Sequence, residues 1–246
     1  MIHADSILAI KTYINRKLSK PLFIKSSIET SDGDMQVTNE TLFFSSGISI
    51  LLIYHLFIWH RLIYQPFSTS IGRARIMRAK WVETVMIGKK DILAIQTLRN
   101  WTMSASFLAS TAIVVGLGIL NFILTTEKLS GSSQHFNFVE HGDETLWIIK
   151  LILLSADFFF AFFSFTLTIR YYNHAGFLLN IPLSEELTVP FVTKVVNQGA
   201  SYYARGMRGY YLSIPLTLWL FGAYWFMVGC VFLVWMLYQI DRYEDA

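Results

Sequence analysis

LWIIKLILLSADFFFAFFSFTLTI, the stretch Leu146–Ile169, decides the fold class. Its only ionisable side chains are Lys150, near the start, and Asp157, near the middle. A helix that crosses a bilayer needs roughly 20 mainly apolar residues, and this run satisfies that with a block of phenylalanines from Phe158 to Phe163. Three more runs share its character: about 42–63, about 101–124 and about 211–238. Such runs in a chain of 246 residues exceed what a soluble core requires. The composition agrees, with 54% hydrophobic residues, a mean hydropathy of +0.45 and 15% charged residues, where a soluble domain carries about 25% charge. The expected fold is all-α: an integral membrane four-helix bundle with amphipathic cytoplasmic helices. Residues 41–240 form the membrane domain, preceded by an N-terminal segment, 1–40, and followed by a short tail, 241–246.

The second run is rich in Ser104, Ala105, Ser106, Ala109, Ser110, Ala112, Gly116 and Gly118. Small residues let helix backbones approach closely in lipid, so this helix is expected at the centre of the bundle. The loops set the orientation. The first connection carries Arg73, Arg75, Arg78, Lys80, Lys89 and Lys90, and the third carries Lys194, Arg205 and Arg208. The second holds Glu127, Glu140, Asp143 and Glu144 against Lys128. Positive loops stay on the cytoplasmic side, which predicts both termini on the opposite side. The protein is expected to be a multi-pass component of a plasma or organelle membrane.

The connections themselves carry helical patterns. Ile76, Met77, Trp81, Val82, Val85 and Met86 recur at helical spacing, with Gly88 as a stop. Asp91 suits the start of a helix that continues through Leu98 into the second run. Thr188 before Val189 and Pro190 reads as a further start, leading through Val195, Val196 and Tyr203 toward Arg208. Near the N-terminus, Ile7, Ile10, Ile14 and Leu18 fall on one helix face bordered by Lys11 and Lys17. That stripe fits a membrane-surface helix or a short helix packed on the protein's own membrane face. Residues 6–28 lack acids and so share the composition of a transit peptide, whereas no apolar run follows the start as in a secretory signal. The stretch Thr30–Asp34 reads as a loop.

Several polar motifs fall in fixed order relative to the runs: Ile95–Asn100, Ile169–Gly176 (IRYYNHAG), Asn197-Gln198-Gly199, Tyr203–Tyr211 (YARGMRGYY) and Pro215–Gly222. In these the chain resembles the DUF599 family of uncharacterised four-span membrane proteins, over roughly residues 50–238. Where members of that family commonly show Phe-Gly-Pro, this chain has Phe221-Gly222-Ala223. The resemblance implies a membrane topology and brings no substrate, cofactor or catalytic residue with it.

Two constellations stand out as candidate sites. Asp157 lies mid-span, where a carboxylate costs about 2.5–3.5 kcal/mol on insertion scales and needs a partner. His55 lies at similar depth in the first run, and the pair His55–Asp157 is expected to meet, with Ser110, Thr111 and Tyr224 within reach. Such a pair serves either as a proton or cation relay or as a polar knot that fixes helix register. The second constellation gathers at the cytoplasmic boundary: Arg99, Asn100, Arg170, Tyr172, Asn173, His174, Arg205 and Arg208. Guanidinium groups there can hold lipid phosphates or another anion, cap neighbouring helix ends, or simply follow the positive-inside bias.

Other chemistry finds little support. Cys230 is the single cysteine, so no internal disulfide and no thiolate zinc site can be built. A bis-histidine haem lacks its second ligand, because His60 points about 140° away from His55 around the helix. His135, Glu140, His141 and Asp143 could gather a metal, but fit a solvated acidic loop. No cofactor is expected, no nucleophile motif or phosphate loop is present, and a net charge of +3 implies no nucleic-acid partner. The expected partners are the lipid bilayer and other membrane subunits, or copies of the same chain. The leading expectation is a structural or accessory subunit of a membrane assembly. The alternative is a small channel or transporter built on His55 and Asp157.

Overall fold

Every apolar run of the sequence becomes helix. The computed structural model describes residues 40–65, 69–89, 91–129, 144–185 and 187–241. The N-terminal stripe Ile7–Leu18, the loop Thr30–Asp34 and the acidic loop from His135 to Asp143 lie outside the described residues. In chain order the helices are α1 (Glu40–Tyr64), α2 (Ser70–Gly88), α3 (Asp91–Leu129), α4 (Glu144–Leu178), α5 (Val189–Trp219) and α6 (Ala223–Asp241). Four of them, α1, α3, α4 and α6, are long and apolar enough to cross a bilayer. The chain is thus an all-α, multi-pass membrane protein.

Local chemistry sets the helix ends. Thr69 caps α2, its hydroxyl accepting from the Gly72 amide at 3.2 Å. At the other end Lys89, rather than Gly88, takes the left-handed conformation (φ 49°) and returns its amide to the Val85 carbonyl. Asp91 opens α3, which continues without a break through the second apolar run. Thr188 precedes α5, whose Pro190 sits in the first turn, where a missing amide costs nothing.

The fourth apolar run is not one span. α5 does not stop near Arg208 but continues to Trp219, and the chain reverses at residues 220–222 before α6 begins. The amides of Leu220, Phe221 and Gly222 each bond a carbonyl three residues back, and Gly222 adopts φ 131°, a region that favours glycine. α6 then folds back along α5. A Cβ added at Gly229 would lie 2.9 Å from the Pro215 Cα, so the two backbones nearly touch. The expected span 211–238 is therefore a helical hairpin, because an apolar run reports lipid exposure but not chain direction.

The hairpin changes the expected topology. α1 runs parallel to α6: Phe44 and Gly47 meet Phe226, while Tyr54 and Ile58 pack with Leu233 and Leu237. Glu40 and Asp241 accordingly stand at opposite ends of the bundle, whereas an even number of crossings had predicted both termini on one side. α5 runs antiparallel to α4, with Gly199 against Tyr172, Gly206 against Phe165, Gly209 against Asp157, and Trp219 under Lys150. At Gly199 and Gly206 an aromatic ring of α4 occupies the space a side chain would need, with ring atoms within 2.8 Å of the added Cβ.

The central helix is α4, not α3. α3 and α5 both pack extensively on α4, and α5 in turn packs on α6. The small residues of α3 do produce a close approach, but on one face only. Ala105, Ala109 and Ala112 bury themselves against Ala161 and Phe165, and the Ser155 hydroxyl donates to the Gly116 carbonyl at 3.0 Å. Ser104 and Ser110 are exposed, and Gly118 has nothing against it.

Helix length explains the second core. The 39 residues of α3 rise about 58 Å, well beyond the roughly 30 Å of bilayer hydrocarbon. The excess is covered by α2, whose Val82 and Val85 are buried with Ala94 and Leu98 of α3, Tyr172 and Ala175 of α4, and Val192 and Val196 of α5. The basic connections are thus ordered helical structure that closes one end of the bundle.

Candidate anion site at the basic end of the bundle

The hairpin carries α6 down to the level of Arg208, and there it ends in an acid. Asp241 accepts a hydrogen bond from the Tyr54 hydroxyl at 2.8 Å and pairs with the Arg208 guanidinium at 3.2 Å. Its side chain is 8% exposed and that of Arg208 29%. A carboxylate at a helix C-terminus opposes the helix dipole, so this position needs the neighbouring cation. One carboxylate thereby ties α1, α5 and α6 together. Ser70 adds α2 by donating to the Ile240 carbonyl at 3.0 Å.

Above this latch lies a cavity of about 600 Å³, bounded by α2, α3, α4, α5 and α6. Its walls are of two kinds. Ile71, Trp101, Met207, Leu237 and Ile240 supply apolar surface; Arg75, Arg78 and Arg208 supply charge, with the hydroxyls of Ser70, Ser104, Tyr172, Ser201 and Tyr203 among them. Arg75 and Arg78 stand one helical turn apart on α2 and so share a face. The Nε of Arg78 donates to the Asn197 side chain at 2.8 Å, which fixes α2 against α5. Burial lowers the pKa of the Arg78 guanidinium from its ordinary value; the Tyr172 phenol opposes that shift and the adjacent Arg75 charge adds to it. A smaller cavity of about 270 Å³, lined by Arg75, Lys194, Asn197, Gln198 and Ser201, adjoins the first and shares Arg75 and Ser201 with it. Among the described residues Asp241 is the single acid on either wall, and it is engaged by Arg208.

Of the residues expected at this boundary, Tyr172 and Arg208 line the main cavity. Arg99, Asn100, Asn173 and His174 are exposed on the outside of α3 and α4 and do not reach it. Arg170 and His174 line a separate cavity of about 370 Å³ with Leu167 and Tyr171. Arg205 lies 4.6 Å over the Tyr202 ring, which stacks on Tyr171. The expected constellation is thus divided between two faces, because residues adjacent in sequence on a helix point to different sides.

The intramembrane pair does not form. His55 is exposed on α1, and its Nδ1 lies 2.9 Å from the Leu51 carbonyl of its own helix. Asp157 faces α5, where Gly209 leaves it room, and its Oδ2 is buried without a hydrogen-bond partner. Equal depth was not enough to bring the two together: α1 packs on α6, and α4 on α3 and α5. Ser110 and Thr111 are exposed, Thr111 bonding the Phe107 carbonyl, and Tyr224 packs edge-on against Phe43. Among the described residues no group of three metal-ligating side chains occurs.

Arg75, Arg78, Asn197, Tyr54 and Asp241 were not expected in a site: Arg75 and Arg78 counted only as loop charge and Asn197 only within the Asn197-Gln198-Gly199 motif. The signal for Arg75 and Arg78 was their spacing on a helix that buries Val82 and Val85. The signal for Asp241 was its place as an acid closing an apolar run.

The family model described as "Protein of unknown function, DUF599" matches residues 42–246. No curated protein matches the chain. No solved structure matches it.

Proposed function

The chain belongs to the DUF599 family, and from that premise we propose that it is a non-enzymatic accessory component of a membrane that binds an anionic ligand at the basic end of its bundle. The observation that carries the reading is the pair Arg75 and Arg78. Two guanidinium groups on one helix face line a cavity whose single carboxylate among the described residues is already engaged by Arg208. Like charges at this spacing repel, and a helix that keeps both beside a partly apolar cavity is best explained by an anion between them. Lipid headgroups and membrane-associated solutes both offer such a charge. The channel or transporter alternative has lost the His55 half of its site and would rest on Asp157 by itself.

Purification in mild detergent, followed by native mass spectrometry, tests the reading. The wild-type protein is expected to retain an anionic lipid or solute. The double substitution Arg75→Gln, Arg78→Gln is expected to lower its occupancy on the order of tenfold, since charge-assisted contacts are the strong ones. Equal retention by both proteins would refute the site.

A further inference from the structure

We infer that the group this cavity takes is a phosphomonoester. The inference rests on the anion-binding reading and adds the charge state and the chemistry of the ligand. Arg208 is balanced by Asp241, so two positive charges, Arg75 and Arg78, remain on the wall of the main cavity, with Lys194 beyond Arg75 in the adjoining one. A phosphodiester brings one negative charge and matches only one of the two guanidinium groups, the exposed Arg75 or the half-buried Arg78. A phosphomonoester carries about −1.5 to −2 at neutral pH and three strong acceptor oxygens. The phenols of Tyr172 on α4 and Tyr203 on α5 line the same cavity as further donors. The match is therefore in charge as well as in donor number.

The cavity's second feature is its apolar half. Trp101, Met207, Leu237 and Ile240 line the same space, at the level where α6 ends and about 27 Å along that helix from the hairpin turn. A ligand that fills both halves has a phosphate at one end and hydrocarbon at the other. A membrane-borne phosphomonoester lipid meets both requirements, and a free phosphate meets the first.

The test compares nanodiscs of phosphatidylcholine containing either phosphatidate, a monoester, or phosphatidylglycerol, a diester, at equal mole fraction. Bound lipid is read by native mass spectrometry of the ejected protein, with and without inorganic phosphate as competitor. Phosphatidate is expected to be retained on the order of tenfold over phosphatidylglycerol near pH 7.5. That preference is expected to shrink as pH falls below about 6, where the monoester loses its second charge. Arg75→Gln, at an exposed position on α2, is expected to remove the preference while leaving thermal unfolding unchanged. Displacement by inorganic phosphate would assign recognition to the phosphate group alone; phosphatidate that stays bound against it would assign the hydrocarbon a share. Both outcomes support the inference. Equal retention of the two lipids, lost together in the Arg75 and Arg78 variants, would overturn the monoester and leave the anion site standing. Retention indifferent to those variants would overturn both.

Discussion

Gly229→Leu is expected to force α6 away from α5 and to destabilise the folded protein by about 3 kcal/mol, at the upper end of what overpacking costs. The site is unforgiving because of what stands opposite. An added Cβ would lie 2.9 Å from the Pro215 Cα and 2.9 Å from a Leu218 methyl carbon. The Pro215 contact is backbone, held within a helix that is itself packed on α4, so no rotamer change can relieve it. The substitution also gains helix propensity, since glycine is about 0.8–1 kcal/mol worse than alanine in a helix interior and leucine ranks close to alanine. That gain is smaller than the steric cost, so the sign is not in doubt. Unfolding by sodium dodecyl sulfate in mixed micelles gives the measurement. A midpoint equal to or above that of the wild type would mean that α5 and α6 are not in contact at Gly229.

Asp241→Ala is the second large effect. It removes the acceptor of the Tyr54 hydroxyl and the counter-ion of Arg208 in one step. Breaking a buried ion pair from one side costs about 3–5 kcal/mol, because the remaining charge keeps its burial and loses its partner. Arg208 is 29% exposed, so the lower end of that range, about 3 kcal/mol, is the expectation. Replacing both members, Arg208→Met with Asp241→Leu, is expected to recover most of the loss, since apolar pairs of similar volume often substitute without penalty. The double-mutant cycle reads the coupling directly. Additive effects of the two single changes would show that the pair is a surface contact and not a latch.

Much of the architecture was legible in the sequence because lipid is a strict solvent. A backbone buried in hydrocarbon must satisfy its own amides and carbonyls, and long apolar runs such as Leu146–Ile169 can do so only as helix. The starts of α3 at Asp91 and of α5 after Thr188 were legible for a related reason, since each stands where the first amides of a run have no helical partner. The hairpin was not. From Tyr211 to Tyr238 every segment is apolar, and hydropathy is blind to a reversal of direction within such a run. Gly222, with its φ of 131°, was the one local sign. The first half of α5 was legible from Thr188 toward Arg208; its unbroken continuation to Trp219 was not, because the apolar run from Tyr211 reads as a separate span.

The candidate site was half legible for the same reason. Arg208 and Tyr172 were found because they flank spans. Arg75 and Arg78 sit in a connection where basic residues are expected on topological grounds, so their excess of charge carried no separate signal. It took the folding of α2 across the bundle to place them over a cavity. The proposed pairing of His55 with Asp157 failed because depth along the bilayer normal is one coordinate, and contact requires the other two. Small residues on α3 misled in a milder way. They do mark a close helix contact, but a helix with one such face belongs at the edge of a row, whereas α4 buries residues on both sides.

The hairpin is what brings Asp241 to the end of the bundle occupied by Arg75, Arg78 and Arg208, so the site depends on where α6 ends. Single cysteines introduced as Thr41→Cys and Gln239→Cys, both exposed positions, probe this in reconstituted vesicles with a membrane-impermeant maleimide; Cys230 is buried and stays as it is. The expected result is labelling from opposite faces, with Gln239→Cys reacting on the same face as a cysteine placed at Lys80 of α2. Labelling of positions 41 and 239 from one face, opposite to position 80, would restore a continuous fourth span and remove the cavity with it.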